Sequence, residues 1–389
     1  MTNDRLKILF IPAWYPTKKD PVNGIFIKEQ AKALQVFNDV TVLYRNFTDR
    51  KSKGKEIDDY IDEFGVRNIV FDTLYRKSLT IKFFSYCRAI WKYFKVLKKS
   101  GYRPDIIHTH AFFSGPIATL LAKKHRIPVI LSLHKASIMN KTLSPMKKLG
   151  LQISSKWANA IFVVSSALSK GLLHYGVDKS KIHIVPNTIN TDKFFPKKTI
   201  YSSKDKKIRI LSICMLRLSK KLDVLLQAIS KINDSGGELL LNIVGDGEGR
   251  SYYEKFAQKL GLSDIVNFHG ATFGNNLVEF IHECDFFVLA SPWETFGIVI
   301  IEALACGKPV VITSEGGPRD FVTDKMGVFA KPNNPDDLAK AIEYMMNKYK
   351  EYNSDEIYIE IDKQFSYKII GKKIDAIYRS LIKNTKIGN

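Results

Sequence analysis

Residues 285–313 read DFFVLASPWETFGIVIIEALACGKPVVIT and decide the fold. Apolar runs at Asp285–Ala290 and Pro309–Thr313 predict two buried strands, and a helical pattern begins between them near Phe296–Gly297. Both runs are continuous in hydrophobicity rather than alternating, as is typical of strands that are covered on both faces. The segment is therefore predicted to be a strand–helix–strand unit of a parallel sheet.

The same alternation extends along the rest of the chain. Further strands are predicted at Lys7–Ile11, Val40–Tyr44, Asp105–Thr109, Pro128–Leu133, Ala160–Ser165, Lys181–Val185, Ile208–Met215, Leu239–Gly245 and Ile265–Phe268. Helical spacing of apolar residues occurs at Gly24–Phe37, Ser114–His125, Ala167–Tyr175 and, last, about Ser366–Lys383. Two such series in tandem predict an α/β protein made of two doubly wound, Rossmann-like domains.

The length of 389 residues also favours two domains over one. We predict an N-terminal domain at 1–190, a linker rich in Lys, Ser and Pro at 191–207, and a C-terminal domain at 208–365. Open parallel sheets bind ligands at the carboxyl ends of their strands. If the two domains face each other, the active site is expected in the cleft between them.

The composition is that of a globular protein, with 45% hydrophobic and 25% charged residues. No apolar run reaches about 18 residues and the N-terminus lacks a signal-peptide pattern, so we predict a cytoplasmic protein without a spanning helix. The four cysteines are scattered and show no metal-ligand spacing, which predicts reduced thiols and no metal site: Cys87, Cys214, Cys284 and Cys306.

The positive charge is confined to one half of the chain. Residues 1–198 contain 35 Lys and Arg against 14 Asp and Glu, whereas residues 199–389 contain 25 of each. This asymmetry indicates that the first half faces an anionic partner: a nucleic acid, a membrane surface or a phosphorylated acceptor.

The densest basic stretch, 76–103, has nine Lys and Arg and no acid. On a helix its cations share one face: Lys77, Arg88, Lys92, Lys95, Lys98 and Lys99. Its apolar residues share the opposite face: Phe83, Tyr86, Ile90, Tyr93, Phe94 and Leu97. Phe84 and Trp91 fall among the cations, which favours the headgroup layer of an anionic membrane over a merely solvated face. Stacking on nucleic acid is the other possibility, but no nucleic-acid-binding motif accompanies it, so no nucleic acid partner is predicted.

Two carboxylates lie on either side of the predicted helix start in the opening segment, Glu294 in the loop before it and Glu302 within the helix. Eight residues separate Glu294 from Glu302, which corresponds on a helix to a rise of about 12 Å. Glu294 is expected at the mouth of a site and Glu302 two turns further in. The backbone N–H groups of the helix start, at Thr295, Phe296 and Gly297, can hold a diphosphate, and carboxylates suit the hydroxyls of a ribose and a hexose.

This segment, with Ala-x-Ala-x-Gly-x-Pro-Val-Val after Glu302, resembles family 4 retaining glycosyltransferases with the GT-B fold. Further motifs resemble the same family in the same order: Asn23–Ala31, Pro104–His110, Pro128–His134, Val185–Phe194, Arg217–Lys220, Val244–Gly247 and Gly316–Asp320. The resemblance covers nearly the whole chain and implies that the last helix, within 366–389, packs back on the N-terminal domain.

The resemblance also implies roles for the matched positions. Glu302 binds the nucleotide ribose, and Glu294 binds the hydroxyls of the donor sugar. Arg217 and Lys220 neutralise the departing diphosphate, so that neither a metal nor a cofactor is required. His134 lies near the reacting sugar, and Gly24 lets the backbone approach that sugar closely.

The sequence departs from the family pattern at four positions. Asn23 and Lys221 stand where the family has glycine, Asp320 stands where glutamate is usual, and Thr188 follows Pro-Asn in place of glycine. Asn23 bears on the shape of the sugar site, and Lys221 bears on how closely its loop can wrap a phosphate. None of the four removes an acid, a base or a cation that the chemistry needs.

Structural interpretations remain open for several of these residues. His134 could be a structural side chain at a strand end, and of His108 and His110 one could be structural while the other lines the cleft. Gly24 could simply begin a helix, Arg217 and Lys220 could be solvated, and Gly245-Asp-Gly247 could be a plain turn.

The prediction is a retaining, metal-independent hexosyltransferase that uses a nucleotide sugar, with a UDP-sugar favoured over a GDP-sugar. The basic N-terminal domain is expected to hold a lipid-linked saccharide acceptor at the cytoplasmic membrane face, in the synthesis of a cell-surface polysaccharide or glycolipid. The alternatives are a sugar-nucleotide epimerase or phosphorylase on the same fold and, beyond these, a basic binding protein without activity.

Overall fold

A computed structural model describes residues 5–17, 20–48, 57–74, 78–111, 113–197, 207–313 and 315–387. The chain divides into two compact units. The first unit consists of Met1–Thr188 together with Phe365–Asn389, and the second consists of Ile189–Gln364.

The N-terminal unit contains an eight-stranded sheet in the order β3-β4-β2-β1-β5-β6-β7-β8. Its strands are β1 Lys7–Pro12, β2 Asp39–Thr48, β3 Ile57–Ile61, β4 Arg67–Leu74, β5 Ile106–His110, β6 Val129–Leu133, β7 Ala160–Val163 and β8 Ile182–Ile184. All neighbouring strands are parallel except β3, which pairs antiparallel with β4 at the edge.

Helices cover both faces of this sheet. They are α1 Ile25–Gln35, α2 Leu79–Lys99, α3 Gly115–His125, α4 Ala136–Met139, α5 Pro145–Trp157, α6 Ser166–His174 and the last helix of the chain, α13 Tyr367–Ile387. On one face, α1 and α13 bury Leu34 and Ile374 against strand residues such as Phe10. On the other, α2 and α3 bury Phe94 and Leu121.

The C-terminal unit has a six-stranded, wholly parallel sheet in the order β11-β10-β9-β12-β14-β16. Its strands are β9 Ile208–Ile213, β10 Leu239–Val244, β11 Val266–Phe268, β12 Phe286–Leu289, β14 Val310–Ile312 and β16 Gly327–Phe329. Two short strands, β13 Trp293–Glu294 and β15 Glu315–Gly316, pair with each other outside it. The helices are α7 Leu222–Asp234, α8 Arg250–Lys259, α9 Asn275–Glu283, α10 Ile298–Ala305, α11 Pro335–Lys348 and α12 Ser354–Phe365.

The predicted alternation is confirmed, since each run predicted as a strand overlaps a strand of the structure. The α/β class and the two parallel sheets are likewise confirmed. The β3–β4 hairpin, helix α5 and strand β16 were not predicted from the sequence.

Candidate functional site

A close ion pair joins two loops at the carboxyl ends of neighbouring strands in the C-terminal unit. After β9 the chain runs through Arg217 into a 3₁₀ turn, Leu218–Lys220, and after β12 it forms the short strand β13. Lys220 Nζ lies 2.6 Å from Glu294 Oε1, and their side chains are 26% and 16% exposed. The fold thus brings two predicted site residues together, in contact with each other.

The start of α10 lies directly after Glu294. Gly297 precedes the helix with φ +85°, a backbone conformation that favours glycine, and a Cβ there would lie 2.7 Å from the movable Cδ1 of Ile300. The ring of Phe296 packs 5.2 Å from that of Phe321. The first N–H groups of a helix have no partner within the helix and carry its positive dipole end, so this terminus suits an anion.

The strand pair β13–β15 holds the loop around Glu294 in place. Glu294 pairs in register with Gly316, which precedes the 3₁₀ turn Gly317–Asp320. A Cβ at Gly317 would collide with the backbone of Thr295 and Phe296. The two glycines therefore let this loop lie directly against the segment that carries Glu294.

Glu302 lies on the second turn of α10 and is half-buried. Its backbone carbonyl accepts a hydrogen bond from the N–H of Cys306 at 3.2 Å. As predicted from the spacing, the helix carries it further from the loop than Glu294. A carboxylate that is partly shielded from water can make hydrogen bonds stronger than those of an exposed one.

Arg217 occupies a different position from the ion pair. It lines a cavity of about 360 Å³ together with Leu218, Ser219, Glu248, Gly249 and Tyr252. Its carbonyl accepts a hydrogen bond from Tyr253 Oη at 3.0 Å, which holds the backbone in place while the side chain is exposed. Glu248 and Tyr252 were not predicted as site residues. The one sequence signal for them is that they lie near the start of a helix, shortly after Gly247.

The loop after β10 packs tightly on the chain after β9 and forms one wall of this cavity. The N–H of Gly249 donates to the carbonyl of Leu216 at 2.7 Å, and the N–H of Leu216 donates to the carbonyl of Asp246 at 3.0 Å. A Cβ at Gly245 would collide with the carbonyl oxygen of Cys214. Glycine at 245 therefore permits a close backbone approach and is more than a plain turn residue.

Lys221 adopts a left-handed backbone conformation, with φ +53° and ψ +41°, between the 3₁₀ turn and α7. This is the position at which the family pattern has glycine. A residue with a Cβ is strained in this conformation by about 1–2 kcal/mol. With lysine in place of glycine, the backbone keeps its left-handed conformation at 221, and the strain lowers the stability of the folded chain.

Gly24 also adopts a left-handed conformation, in the N-terminal unit, immediately before α1. Its φ is +81°, and a Cβ there would lie 2.9 Å from the carbonyl carbon and oxygen of Trp14. Next along α1, the ring of Phe26 lies 4.4 Å from that of His134, which follows β6. Lys135 Nζ lies 5.0 Å from the Trp14 ring.

These residues therefore meet where β1 and β6 end. Trp14 and Lys135 were missed from the sequence. Their signals were weak ones, namely that Lys135 follows His134 directly and that Trp14 lies just after the first strand.

Three histidine rings stack beside this point. The ring centroids of His108 and His110 are 4.4 Å apart, and those of His110 and His134 are 5.8 Å apart. His108 has one ring nitrogen 2.6 Å from Tyr378 Oη and the other 2.7 Å from Ser132 Oγ, so it is the structural member of the group. Within the described residues, the buried ring nitrogens of His110 and His134 have no hydrogen-bond partner.

Burial determines the charge of these rings. It lowers the pKa of His108 and of His134 to about 3, and it lowers the pKa of His110 well below the usual value. All three are therefore neutral at physiological pH. A neutral imidazole offers one donor and one acceptor, which suits a hydroxyl group.

The basic helix α2 differs in part from its prediction. Phe84 is 67% exposed, as expected, whereas Trp91 is half-buried beneath Lys124 Nζ, which lies 4.8 Å from its ring. Lys98 turns toward His125, with 2.9 Å between Nζ and Nδ1, and residues 76 and 77 lie outside the described part of the chain. Two unpredicted apolar side chains, Ile81 and Val96, are exposed instead.

Comparisons with known proteins identify the family. Residues 24–193 match the model of Glycosyltransferase Family 4, and residues 193–361 match that of Glycosyl transferases group 1. The chain is a group 1, family 4 glycosyltransferase. An uncharacterised glycosyltransferase of Methanocaldococcus jannaschii is 26% identical to it over 71% of this chain and 75% of the relative. A second glycosyltransferase from that organism is 29% identical over 71% of this chain and 76% of the relative.

Solved structures place the glycosyltransferase in the GT-B fold. HepE of Anabaena, solved in complex with UDP and glucose, superposes with a TM-score of 0.74 at 18% identity, over 97% of this chain and all of that one. A sucrose-phosphate synthase from Thermosynechococcus elongatus superposes with a TM-score of 0.77 at 20% identity, over 98% of this chain and all of that one. The predicted GT-B fold is thereby confirmed. Among the residues described, no helix has the length and apolarity that crossing a bilayer requires.

Proposed function

We propose that this glycosyltransferase takes a hexosyl unit from a nucleotide sugar, with a UDP-sugar favoured, and transfers it with retention of the anomeric configuration. The observation that carries the proposal is the contact between Lys220 and Glu294 beside the N-terminus of α10. One cation, one carboxylate and a helix terminus are the groups that a sugar diphosphate needs. HepE, whose fold this chain shares, was solved with UDP-glucose, which supports the same donor class.

In the proposed donor site each group has one task. The backbone N–H groups after Thr295, Phe296 and Gly297 bind the diphosphate, and Glu302 binds the ribose. Lys220 and Arg217 stabilise the negative charge that develops as the nucleoside diphosphate leaves, which is the task of a metal ion in other enzymes.

The donor sugar is bound by three further groups. Glu294 accepts hydrogen bonds from its hydroxyls. His134 is neutral because burial lowers its pKa to about 3, so that it exchanges hydrogen bonds with the sugar without adding a charge. Gly24 presents backbone where a side chain would collide with Trp14, so the loop can approach the sugar closely.

The proposed acceptor is a lipid-linked saccharide at the cytoplasmic face of the membrane, in the synthesis of a cell-surface polysaccharide or glycolipid. Its support is the basic excess of residues 1–198 and the exposed Phe84 on α2. Among the relatives is a phosphatidylinositol N-acetylglucosaminyltransferase protein of Arabidopsis thaliana, 28% identical over 58% of this chain and 49% of the relative. A lipopolysaccharide galactosyltransferase, WaaB, shares the fold with a TM-score of 0.69.

Two carboxylate variants test the donor site. Glu302→Ala should raise the dissociation constant of UDP and the KM of the donor, because ribose contacts are equal in ground and transition states. Glu294→Ala should mainly lower kcat, because its contacts lie nearer the reacting carbon. Charge-assisted hydrogen bonds contribute about 1.5–3 kcal/mol, so each effect should be tenfold or more. Unchanged kinetics in both variants would contradict the assignment.

Two further measurements test the mechanism. The anomeric configuration of an early product, read by NMR, should match that of the donor, and activity should survive EDTA. An inverted product, or activity that is lost to EDTA and restored by manganese, would refute the mechanism. Incubation with the nucleotide sugar alone separates the rival functions, because epimerisation without an acceptor would identify an epimerase.

Membrane association is tested by reversing charge on α2. Lys92, Lys95 and Lys99 are exposed on one face, and each cation contributes about 1 kcal/mol near an anionic leaflet. The triple change to Glu should release the protein from anionic vesicles in sedimentation assays. Thermal shift by UDP should persist, because the residues proposed to bind UDP itself belong to the C-terminal unit. Equal binding to neutral and anionic vesicles would contradict the proposal.

A further inference from the structure

Three neighbouring helices of the N-terminal unit contain no acidic residue. Helices α2, α3 and α5 together contain eleven Lys and Arg and neither Asp nor Glu. They cover the same side of the sheet, since α2 and α3 share a core and α5 packs on α3 and β6. Gly115 allows this close packing, because a Cβ there would collide with the side chain of Ser154 on α5.

The outer side of α5 is apolar, and no residue that the structure describes covers it. Met146 is 70% exposed, Leu149 57%, Ile153 42% and Trp157 46%. Their spacing of three or four residues places them on one stripe of the helix. Only Leu151, Ser154 and Ser155 of this helix are buried. Helix α5 therefore has an apolar outer face with Lys147, Lys148 and Lys156 beside it, an arrangement typical of helices at a membrane interface.

A cavity of about 380 Å³ lies at the end of this stripe, between the C-terminal ends of α3 and α5. Lys123, Arg126, Trp157 and Asn159 contribute polar or aromatic groups to it, and Ile127 and Val129 contribute apolar ones. Lys123 Nζ lies 3.9 Å from the centroid of the Trp157 ring. Neither Lys123 nor Arg126 forms a salt bridge within the residues that the structure describes. Two cations beside an aromatic wall suit a phosphate group that is attached to an apolar chain.

The cavity lies away from the histidine stack. It adjoins Val129, where β6 begins, and Asn159, which precedes β7, whereas His110 and His134 lie at the ends of β5 and β6. The strands rise about 3.3 Å per residue, so the length of β6 separates the cavity from His134. A ligand in the cavity is therefore not the sugar that reacts.

We propose that this cavity binds the headgroup phosphate of an anionic phospholipid while the apolar stripe of α5 enters the acyl region. The inference rests on the membrane association that the proposed function includes, and it names the surface and the lipid group involved. Charge favours this occupant, because the three helices carry cations and no acid, and the same surface of a second copy would repel them. A nucleic acid would satisfy the cations but would leave Met146, Leu149 and Ile153 in water.

The test measures partition of the full chain onto vesicles of phosphatidylcholine with and without phosphatidylglycerol. Lys123→Gln with Arg126→Gln removes both cations of the cavity, and Lys147→Gln with Lys148→Gln removes two exposed cations of α5 outside it. Each cation contributes about 1 kcal/mol, so the partition coefficient of the control pair should fall by up to about thirtyfold. The cavity pair should lose at least tenfold more than the control pair, because its two charges converge on one phosphate. A circular dichroism spectrum and a melting temperature equal to those of the wild type show that both proteins are folded.

A second readout follows Trp157 directly. Lipids brominated on the acyl chain near the glycerol should quench part of the tryptophan emission of the wild type, and Trp157→Phe should abolish that quenching. Equal losses for the two pairs of substitutions, or quenching unchanged by Trp157→Phe, would overturn the proposal. Stronger competition by tRNA than by soluble phosphatidylglycerol would also overturn it, in favour of a nucleic acid.

The outcome is separable from that of the proposed function. If the α2 triple change releases the protein from vesicles while the cavity pair and the control pair have equal effects, the protein binds the membrane. In that case the cavity does not bind a lipid phosphate. If the wild type does not bind anionic vesicles, both membrane proposals fail. Donor binding and transfer to a soluble acceptor are measured independently of either result.

Discussion

The contact between Lys220 and Glu294 predicts that two substitutions in one ion pair have opposite effects on UDP binding. The proposed task of Lys220 is to stabilise the negative charge of the diphosphate, yet in the structure its ammonium lies 2.6 Å from the carboxylate of Glu294. UDP must therefore compete with Glu294 for the same cation. UDP without a sugar makes no compensating contact with Glu294, because that carboxylate is assigned to the hexose.

The structure sets the size of the effect. Both side chains are mostly shielded, at 26% and 16% exposure, so their hydrogen bond belongs to the charge-assisted class of about 1.5–3 kcal/mol. Glu294→Gln keeps the shape but removes the charge that competes, and it should tighten UDP binding severalfold to tenfold, since about 1.4 kcal/mol corresponds to a factor of ten. Lys220→Met should weaken UDP binding tenfold or more.

Isothermal titration of the four proteins of the double-mutant cycle with UDP measures both effects and their coupling. Lys231→Met is a control for loss of one positive charge, because Lys231 forms an exposed pair with Asp336 at 2.9 Å. The reasoning is refuted if Glu294→Gln and Lys220→Met weaken UDP binding in parallel, because the pair would then serve only to hold the loop. With the complete UDP-sugar, Glu294→Gln should still lower kcat.

The remaining predictions concern backbone strain and protonation. Lys221→Gly should raise the melting temperature, because glycine relieves about 1 kcal/mol of left-handed strain at φ +53°. Gly24→Ala should lower it by several degrees, because the new Cβ meets the backbone of Trp14 at 2.9 Å, and an unchanged melting temperature would contradict the packing. Burial lowers the pKa of His134 from near 6.5 to about 3. The free energy of unfolding should therefore keep its full contribution from the neutral ring above pH 6.5. Below pH 6.5 it should fall by at most about 1.4 kcal/mol per pH unit for this group, because the unfolded chain takes up a proton that the folded one does not. His134→Asn should flatten the decline of melting temperature with falling pH.

The sheets were predictable because their strands carry a strong local signal. A run such as Phe286–Leu289 is apolar at every position and has no other stable place than between two layers of helices. Strand β3 has the opposite character, since all five residues of Ile57–Ile61 are exposed and two of them are aspartates. It forms only because β4 offers an edge to pair with, and that partner cannot be seen in the local pattern.

Helix α5 escaped prediction for a related reason. Its apolar residues lie on both the outer and the inner side, so the one-sided spacing of an ordinary surface helix is absent. The burial of Trp91 illustrates the same limit. A helical projection places it among the cations of α2, but Lys124, which lies over its ring, belongs to α3. Local periodicity contains no information about a neighbouring helix.

For the candidate site, the sequence identified the chemical groups but not their arrangement. Arg217, Lys220, Glu294 and Glu302 were chosen because each resembles a family position, and their roles remain predictions. That Lys220 and Glu294 contact each other was not predictable, because 74 residues separate them and both were assigned to the ligand. The cavity beside Arg217 depends on Gly249 and Tyr252, which lie at the start of α8.

The position of α13 has a consequence for how the chain is made. The helix at Tyr367–Ile387 supplies Ile370, Ile374 and Tyr378 to the core of the N-terminal unit, and Tyr378 hydrogen-bonds to His108. Burial of an aliphatic side chain contributes about 1.5–3 kcal/mol, a large part of the stability of an ordinary domain. During synthesis the second unit can therefore fold while the first still lacks part of the helical layer that α13 forms with α1. A ribosome that stalls before residue 367 would release a chain whose second unit is complete and whose first unit exposes an apolar groove to chaperones and proteases.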